Sequence, residues 1–503
     1  MNILNYLNNS ADKYPEKTAL EDEFESVTYS SLKCRAESIG TAVSEKTTAI
    51  NSPIAVLIGR NAASICCFLG VVESHNFYVP VDASQPIERI KTIFNEIQPI
   101  MVISIHKNLP SELKIIDIPV LEYDDILRTN PNISLLNDRQ RNFLDIDPLY
   151  AICTSGSTGV PKGVLISHRS VLDFIPVFTK TFGLSYEEIF GNQAPFDFDV
   201  SVKDFYSSLY LGATVYIIPK VCFVMPKKLV EALDDKKIST IVWAVSALCI
   251  VSAVNGFKYR VPQYLKKIMF SGEVMPIKAL NVWRKNFPNA MFVNLYGPTE
   301  ITCNCTYYIV DRDFEENEKL PIGVSFENEE ILVLNENNQP VKAGEEGEIC
   351  VRGSCLALGY YNNPEKTNAV FVQNPLNTKY PELIYRTGDV AKLSENGEYY
   401  FSGRKDFQIK HMGHRIELED IEANINAVPD VIRACCMFDE NKNKIIAFYI
   451  GAAEKHQIID DMKKRLPKYM IPNIFIQCDS FPLTKNGKID RKKLKSIYEN
   501  DNE

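Results

Sequence analysis

The chain reads as an α/β protein with a second, smaller α+β unit at its C-terminal end, and three observations predict this. Short β-branched runs alternate with helical segments through most of the sequence, the signature of βαβ units and largely parallel sheets. From about Gly344 the texture changes to shorter alternating runs. After Arg404 a compact helix–strand–strand–helix pattern follows. At 503 residues the chain is too long for one core, so two or more domains are expected.

Taken in order, Ile54–Val72 is the most apolar long window, but Arg60 and Asn61 interrupt it. It predicts a buried strand followed by a helix, not a membrane span. Val56–Ile58, Met101–Ser104, Thr240–Trp243 and Lys267–Phe270 predict buried strands, because parallel strands covered on both faces read as continuous apolar runs. Glu348–Arg352 and Glu398–Phe401 predict shorter, half-exposed strands of a small barrel or meander. Leu418, Ile421, Ile425 and Val428 share one helical face that Pro429 ends. Strands over 432–438 and 444–450, then a helix over 457–465, complete the C-terminal unit. The boundary is placed at Arg404-Lys-Asp406, dividing the chain into 1–404 and 405–503.

Composition narrows the function. Hydrophobic residues make up 45% and charged residues 24%, and the net charge is −9, against the basic face a nucleic-acid binder carries. The 13 cysteines have no zinc-site spacing, Cys303 and Cys305 included, and read as reduced thiols of a cytoplasmic protein. Met1–Leu7 lacks a basic region followed by an apolar one, so no signal peptide is expected, and no membrane insertion.

Thr154–Gly163 is the segment richest in chemistry. Gly156, Gly159 and Gly163 permit close backbone approach, while Thr154, Ser155, Ser157, Thr158 and Lys162 supply donors and a cation. Such a loop after the strand-like run Leu149–Cys153 suits a phosphate chain. It is not a Walker A loop, since Pro161 stands at the second glycine and Gly163 at the metal-binding hydroxyl. Asn294–Glu300 follows the apolar run Ala290–Val293, and Gly297-Pro298 forces a turn that presents Tyr296, Thr299 and Glu300 at a strand end, where open α/β sheets bind ligands. An aromatic ring there stacks on a base, and a carboxylate holds a hard cation. Tyr385–Asp389 sets a carboxylate after a glycine turn, able to accept from a ribose diol or to pair with an arginine.

These segments, with Gly403–Asp406 and Asn486–Arg491, occur in an order and spacing that resembles the adenylate-forming superfamily, specifically the stand-alone amino-acid adenylation enzymes of nonribosomal peptide synthesis. Phe77–Asp82 and Leu466–Pro472 extend the resemblance nearly end to end. Ser271–Pro276 and Gly403–Lys410 are especially similar to the D-alanine–carrier protein ligases of that family. The resemblance implies a large N-terminal domain of two αβαβα-type subdomains plus a small β-barrel-like subdomain, and a small mobile C-terminal domain. It implies ATP and Mg²⁺ as cofactors, an aminoacyl-AMP intermediate, release of pyrophosphate, and transfer to the phosphopantetheine thiol of a carrier protein. The chain runs only a short way past Lys488 without a modifiable serine in a Gly-Gly-x-Ser-like context, so a separate acyl or peptidyl carrier protein is expected.

Carried over residue by residue, the resemblance puts Thr154 and Ser155 against the phosphates, and Asn294, Leu295, Tyr296, Gly297, Pro298 and Thr299 around the adenine and α-phosphate. Glu300 becomes the Mg²⁺ ligand. Asp389 and Arg404 hold the ribose, with Phe401, Ser402 and Gly403 lining the nucleotide. Lys488 becomes the catalytic lysine touching substrate carboxylate and α-phosphate, Asp406 the hinge, and Gly413 the neighbour of the pantetheine arm. Lys162 is expected to support the loop.

In Phe196–Asp204, Asp199 falls where amino-acid-activating members bind the substrate α-ammonium; Asp197 is the alternative if the register is off by two. Val200, Lys203, Ala244, Met269, Ser271, Leu295, Cys303 and Asn304 line the rest of the acyl pocket. Lys203 and Ser271 depart from the D-alanine pattern, which has an apolar residue and a cysteine there. A buried lysine needs an anionic partner: either the substrate carries a polar acceptor, or Lys203 snorkels outward or pairs with Asp204. An acyl-CoA or aryl-CoA synthetase, and a non-catalytic nucleotide-binding protein on the same scaffold, are the competing readings.

Overall fold

A computed structural model describes residues 2–106, 118–156, 160–440, 442–483 and 489–500. The chain separates into two compact units. One comprises Met1–Ala83, Ile97–Ile152 and Gly163–Lys405, the other Ser84–Glu96, Cys153–Lys162 and Asp406–Glu503.

The larger unit is built on two mainly parallel sheets and one antiparallel sheet. In the nine-stranded sheet, Met291–Tyr296, Lys267–Ser271, Thr240–Ala244, Ile189–Asn192, Thr214–Ile217 and Thr18–Glu21 lie side by side and parallel. Antiparallel strands, Thr306–Ile309 among them, finish its two edges. In the seven-stranded sheet, Pro53–Ile58 lies between Phe77–Asp82 and Met101–Ser104, all parallel, and Pro148–Thr154 continues it. The strands expected from continuous apolar runs are buried along most of their length.

Two helices of this unit cross unusually closely. Helix Ala62–Glu73 is buried at every residue and packs on helix Tyr29–Lys46. A Cβ on Gly70 would lie 2.4 Å from Ile39 Cβ, and one on Gly40 would lie 2.4 Å from Glu73 Cβ. Two glycines therefore set the interhelical distance, and a methyl at either would force the helices apart. The same closeness encloses Glu73. Burial, reinforced by Glu37 and opposed by Lys33, pushes its carboxyl up to about 7. A carboxyl raised above its unfolded value contributes fully only below the unfolded pKa, and the chain loses stability as pH rises through 7. Glu73→Gln is expected to stabilise by on the order of 2–3 kcal/mol at pH 8 and by little at pH 5, measured by urea unfolding at both pH values.

From Glu329 the third sheet is antiparallel: Glu329–Leu334, Glu346–Gly353 and Leu383–Leu393, with Phe371–Gln373 and Tyr399–Arg404 both on the last. Glu346–Gly353 departs from the half-exposed strand expected around Glu348–Arg352. It runs eight residues and is mostly buried, because neighbours flank it on both sides. Tyr399–Arg404 is the half-exposed one.

In the smaller unit, the hairpin Gln408–His411/His414–Glu417 turns through Met412 and Gly413, both at positive φ, as a two-residue turn requires. Helix Leu418–Asn426 then buries Leu418, Ile421 and Ile425 against Val431–Asp439 and Lys444–Gly451, which pair antiparallel and form a sheet with Ile474–Gln477. The sequence places the boundary at 404/405. The units divide after Lys405, and segments Ser84–Glu96 and Cys153–Lys162 group with the C-terminal residues. The physical reasons are the buried ion pair Arg89–Asp420, 3.5 Å, and hydrogen bonds from Ser155 to the hairpin.

Candidate functional site

In the larger unit, the polar side chains collect where the parallel strands of the nine-stranded sheet end. Ala244, Ser271 and Leu295 are in register on adjacent strands, and the chain leaves Tyr296 through Gly297-Pro298 into the short 3₁₀ turn Thr299–Ile301. Gly297 is required by space: a Cβ there would stand 2.5 Å from Asn304 Cα and 2.8 Å from Cys303 O. Thr302 and Cys303 both adopt positive φ, a strained return that brings Cys303 and Asn304 back beside the strand end.

Asp389 is the centre of a buried network. It sits on the long strand Leu383–Leu393, opposite Arg404 on the neighbouring strand. The Tyr296 hydroxyl donates to Asp389 Oδ2 at 2.5 Å, and Arg404 donates to Oδ1 and to Thr387 O at 3.1 Å. The Asp–Arg pairing foreseen as a surface alternative therefore exists but is buried, with Asp389 3% exposed. Burial and the adjacent Asp389 charge push the Tyr296 phenol well up, so it remains a donor. Asn294 is buried and donates to Pro321 O at 2.8 Å. Thr299 is buried, Phe401 and Gly403 half-buried, and Ser402 exposed.

Glu300 is fully buried and accepts from the Tyr360 hydroxyl at 2.7 Å. Tyr360 lies on the short strand Gly359–Tyr360 and escaped the sequence reading, because Gly-Tyr carries no spacing signal. A single enclosed carboxylate with its orientation fixed by a phenol suits a divalent ion whose remaining ligands are phosphate and water. No group of three or more His, Cys, Asp or Glu side chains that could hold a metal ion is found among the described residues.

The predicted acyl pocket is also drawn together. Asp199 is half-buried and immediately precedes helix Val200–Leu211, whose N-terminus favours a carboxylate. The Cys303 thiol donates to Asp199 O at 3.1 Å, and burial holds that thiol far above its ordinary range. Lys203, one turn into the helix, donates from Nζ to Asn304 Oδ1 at 2.5 Å. It is 0% exposed, which overturns the alternative that it snorkels outward: its helix faces the core at this position. It forms no ion pair with Asp204, whose carboxylate accepts from Asn192 at 2.9 Å and which burial pushes up to about 7. Met269 is fully buried, Val200 and Ala244 half-buried, and the Ser271 hydroxyl is buried without a partner.

In the smaller unit, Thr154 and Ser155 close strand Pro148–Thr154 and open the glycine-rich loop. Ser155 Oγ donates to Arg415 O at 3.0 Å and accepts from Glu417 N–H at 3.1 Å, while Thr154 Oγ1 is buried without a partner. Asp406 begins this unit's C-terminal stretch and accepts from Gln408 N–H at 3.2 Å. Lys488 lies outside the described residues. The helix that follows it, Arg491–Asn500, is anchored by Arg491, which forks onto both oxygens of Glu422 at 2.6 and 3.0 Å.

The AMP-binding enzyme family model matches residues 7–361, and the AMP-binding enzyme C-terminal domain model matches 420–488. The chain is 35% identical to the D-alanine–D-alanyl carrier protein ligase of Listeria monocytogenes serovar 1/2a (strain ATCC BAA-679 / EGD-e), covering 97% of both chains. It is 32% identical to the protein of the same name from Lacticaseibacillus casei (strain BL23), covering 98% of both. The fold is that of the Vibrio cholerae adenylation domain AlmE, solved in complex with glycyl-adenosine-5'-phosphate: TM-score 0.83 over 99% of this chain and 98% of that one, at 21% identity.

Proposed function

We propose, for a chain that belongs to the AMP-binding enzyme family, that it is an AMP-forming ligase that activates an amino acid as aminoacyl-AMP, releasing pyrophosphate, and passes it to a carrier protein. The observation that carries this is a carboxylate, Asp199, at a helix start beside the strand ends, in a chain similar along its whole length to carrier protein ligases. A half-buried carboxylate there suits the α-ammonium of a zwitterion and repels a plain fatty acid.

The proposed roles follow from the side chains. Asp389, oriented by Tyr296 and Arg404, accepts from the ribose hydroxyls. The Tyr296 ring stacks on the adenine, and the Asn294 amide and the backbone of Leu295, Gly297 and Pro298 meet its edge. Thr299 approaches the α-phosphate, Phe401, Ser402 and Gly403 line the nucleotide, and Thr154 and Ser155 face the phosphates. The unpaired Thr154 hydroxyl supports that placement. Glu300 is the ligand for Mg²⁺, which neutralises phosphate charge when bound. Val200, Ser271 and Cys303 border the acyl group. Lys488 supplies the ammonium opposite the α-phosphate, where charge grows in the transition state.

The division into a core, 1–404, and a mobile domain, 405–503, turning at Asp406, lets one active centre serve both half-reactions, with phosphopantetheine on a separate carrier as the thiol. The reading places the enzyme in the cytoplasm, where ATP is at hand; all 13 cysteines are free. Among the described residues no helix is long and apolar enough to cross a membrane.

The test is ATP–pyrophosphate exchange on the full chain with amino acids and with the matching acids lacking the amine. Exchange is expected with an amino acid and not with its deaminated analogue; equal rates with both would exclude amino-acid selectivity.

A further inference from the structure

We infer that the acyl pocket accepts an amino acid bearing a side-chain carboxylate, with Lys203 as the residue that selects it. This deepens the amino-acid adenylation reading and rests on it.

The Lys203 ammonium has an incomplete counter-charge. Lys203 is completely buried, and its ammonium has three donors. Among the described residues it has one hydrogen bond, to the neutral Asn304 Oδ1, and no ion pair. An enclosed ammonium is costly unless a carboxylate or further acceptors complete its shell. The neighbouring groups do not complete it. Asp204 feels Lys203 and Arg60 as charges, but its hydrogen bond goes to Asn192, and burial favours its neutral form. The Cys303 thiol is held neutral by burial and donates to Asp199 O.

One further group points to a missing acceptor. Ser271 Oγ, on the strand end in register with Ala244 and Leu295, is buried without a partner among the described residues. The tight approach of Gly297 to Asn304 ties the lysine's single acceptor to the same sheet edge. An ammonium with one neutral acceptor, one helical turn from the half-buried Asp199, and a strand-end hydroxyl with none fit a ligand with a positive group at one end and a negative group along its side chain. An alanine methyl satisfies none of them.

The experiment is an exchange panel on the full chain with both enantiomers of aspartate, glutamate, asparagine, glutamine and alanine. One acidic amino acid is expected to exceed alanine and its own amide by about 100-fold in kcat/KM, since a site built for a polar group rejects analogues lacking it. Alanine or an amide in first place overturns the inference while leaving amino-acid adenylation standing. Exchange with no amino acid overturns both.

Asn304→Asp supplies the carboxylate from within the protein and is expected to invert the ranking, as is Lys203→Met. A folded Asn304→Asp protein, judged by its melting profile, that keeps the wild-type ranking would overturn the role of Lys203. Should either variant fail to fold, the wild-type panel alone decides.

Discussion

Asp199→Ala is expected to reduce amino-acid-dependent pyrophosphate exchange by about 30- to 1,000-fold, equivalent to the 2–4 kcal/mol lost when one partner of an enclosed charge pair is removed. The substitution is favourable for testing because it keeps the backbone contact made at this position. The Asp199 carbonyl accepts the Cys303 thiol, and the side chain makes no capping bond to helix Val200–Leu211. In a variant shown to fold by its melting profile, the loss should appear in kcat/KM for the amino acid with little change in the KM for ATP. It should also narrow the discrimination against the deaminated acid. Undiminished exchange in a folded Asp199→Ala protein would remove Asp199 from the substrate site and return attention to Asp197.

Asp389→Ala is expected to act on stability and on nucleotide binding together. It leaves the Arg404 guanidinium, 11% exposed at its side chain, without its carboxylate, and deprives the Tyr296 hydroxyl of its acceptor. Stranding one partner of a buried pair costs roughly 3–5 kcal/mol, readable in chemical denaturation. Asp389→Asn separates the two effects. It keeps an acceptor of the same shape for Arg404 and Tyr296, so most of the stability should return, while exchange stays at least tenfold below wild type because the charge that accepts from a diol is gone. Full recovery of exchange in Asp389→Asn would mean that Asp389 holds the network and does not meet the nucleotide.

Much of the architecture was legible because burial writes itself into composition. Pro53–Ile58 and Lys267–Ser271 are covered on both faces and read as apolar runs. The 418–425 helix shows its buried stripe at helical spacing. What stayed hidden was tertiary. Nothing local marks Tyr360 as the donor to Glu300, sixty positions away. Nothing local says that Lys203 meets Asn304 instead of solvent, a pairing made by the positive-φ return at Thr302-Cys303. The grouping of 84–96 and 153–162 with the C-terminal residues depends on two side chains, Arg89 and Ser155, whose partners lie hundreds of residues downstream. Glu346–Gly353 looked half-exposed because its charged ends, Glu346 and Arg352, mask a buried middle.

The two tryptophans carry a practical consequence. Trp243 and Trp283 are the only ones in the sequence, and both are fully buried, with ring centroids 6.3 Å apart and their indole N–H groups donating to Gly191 O and Leu248 O. Both lie in Gly163–Lys405, and residues 406–503 contain none. Emission excited at the red edge of the indole band is thus a private channel of the larger unit. The smaller unit contributes no tryptophan of its own to that signal. A fluorescence melt therefore follows the larger unit, whereas a calorimetric one follows the whole chain.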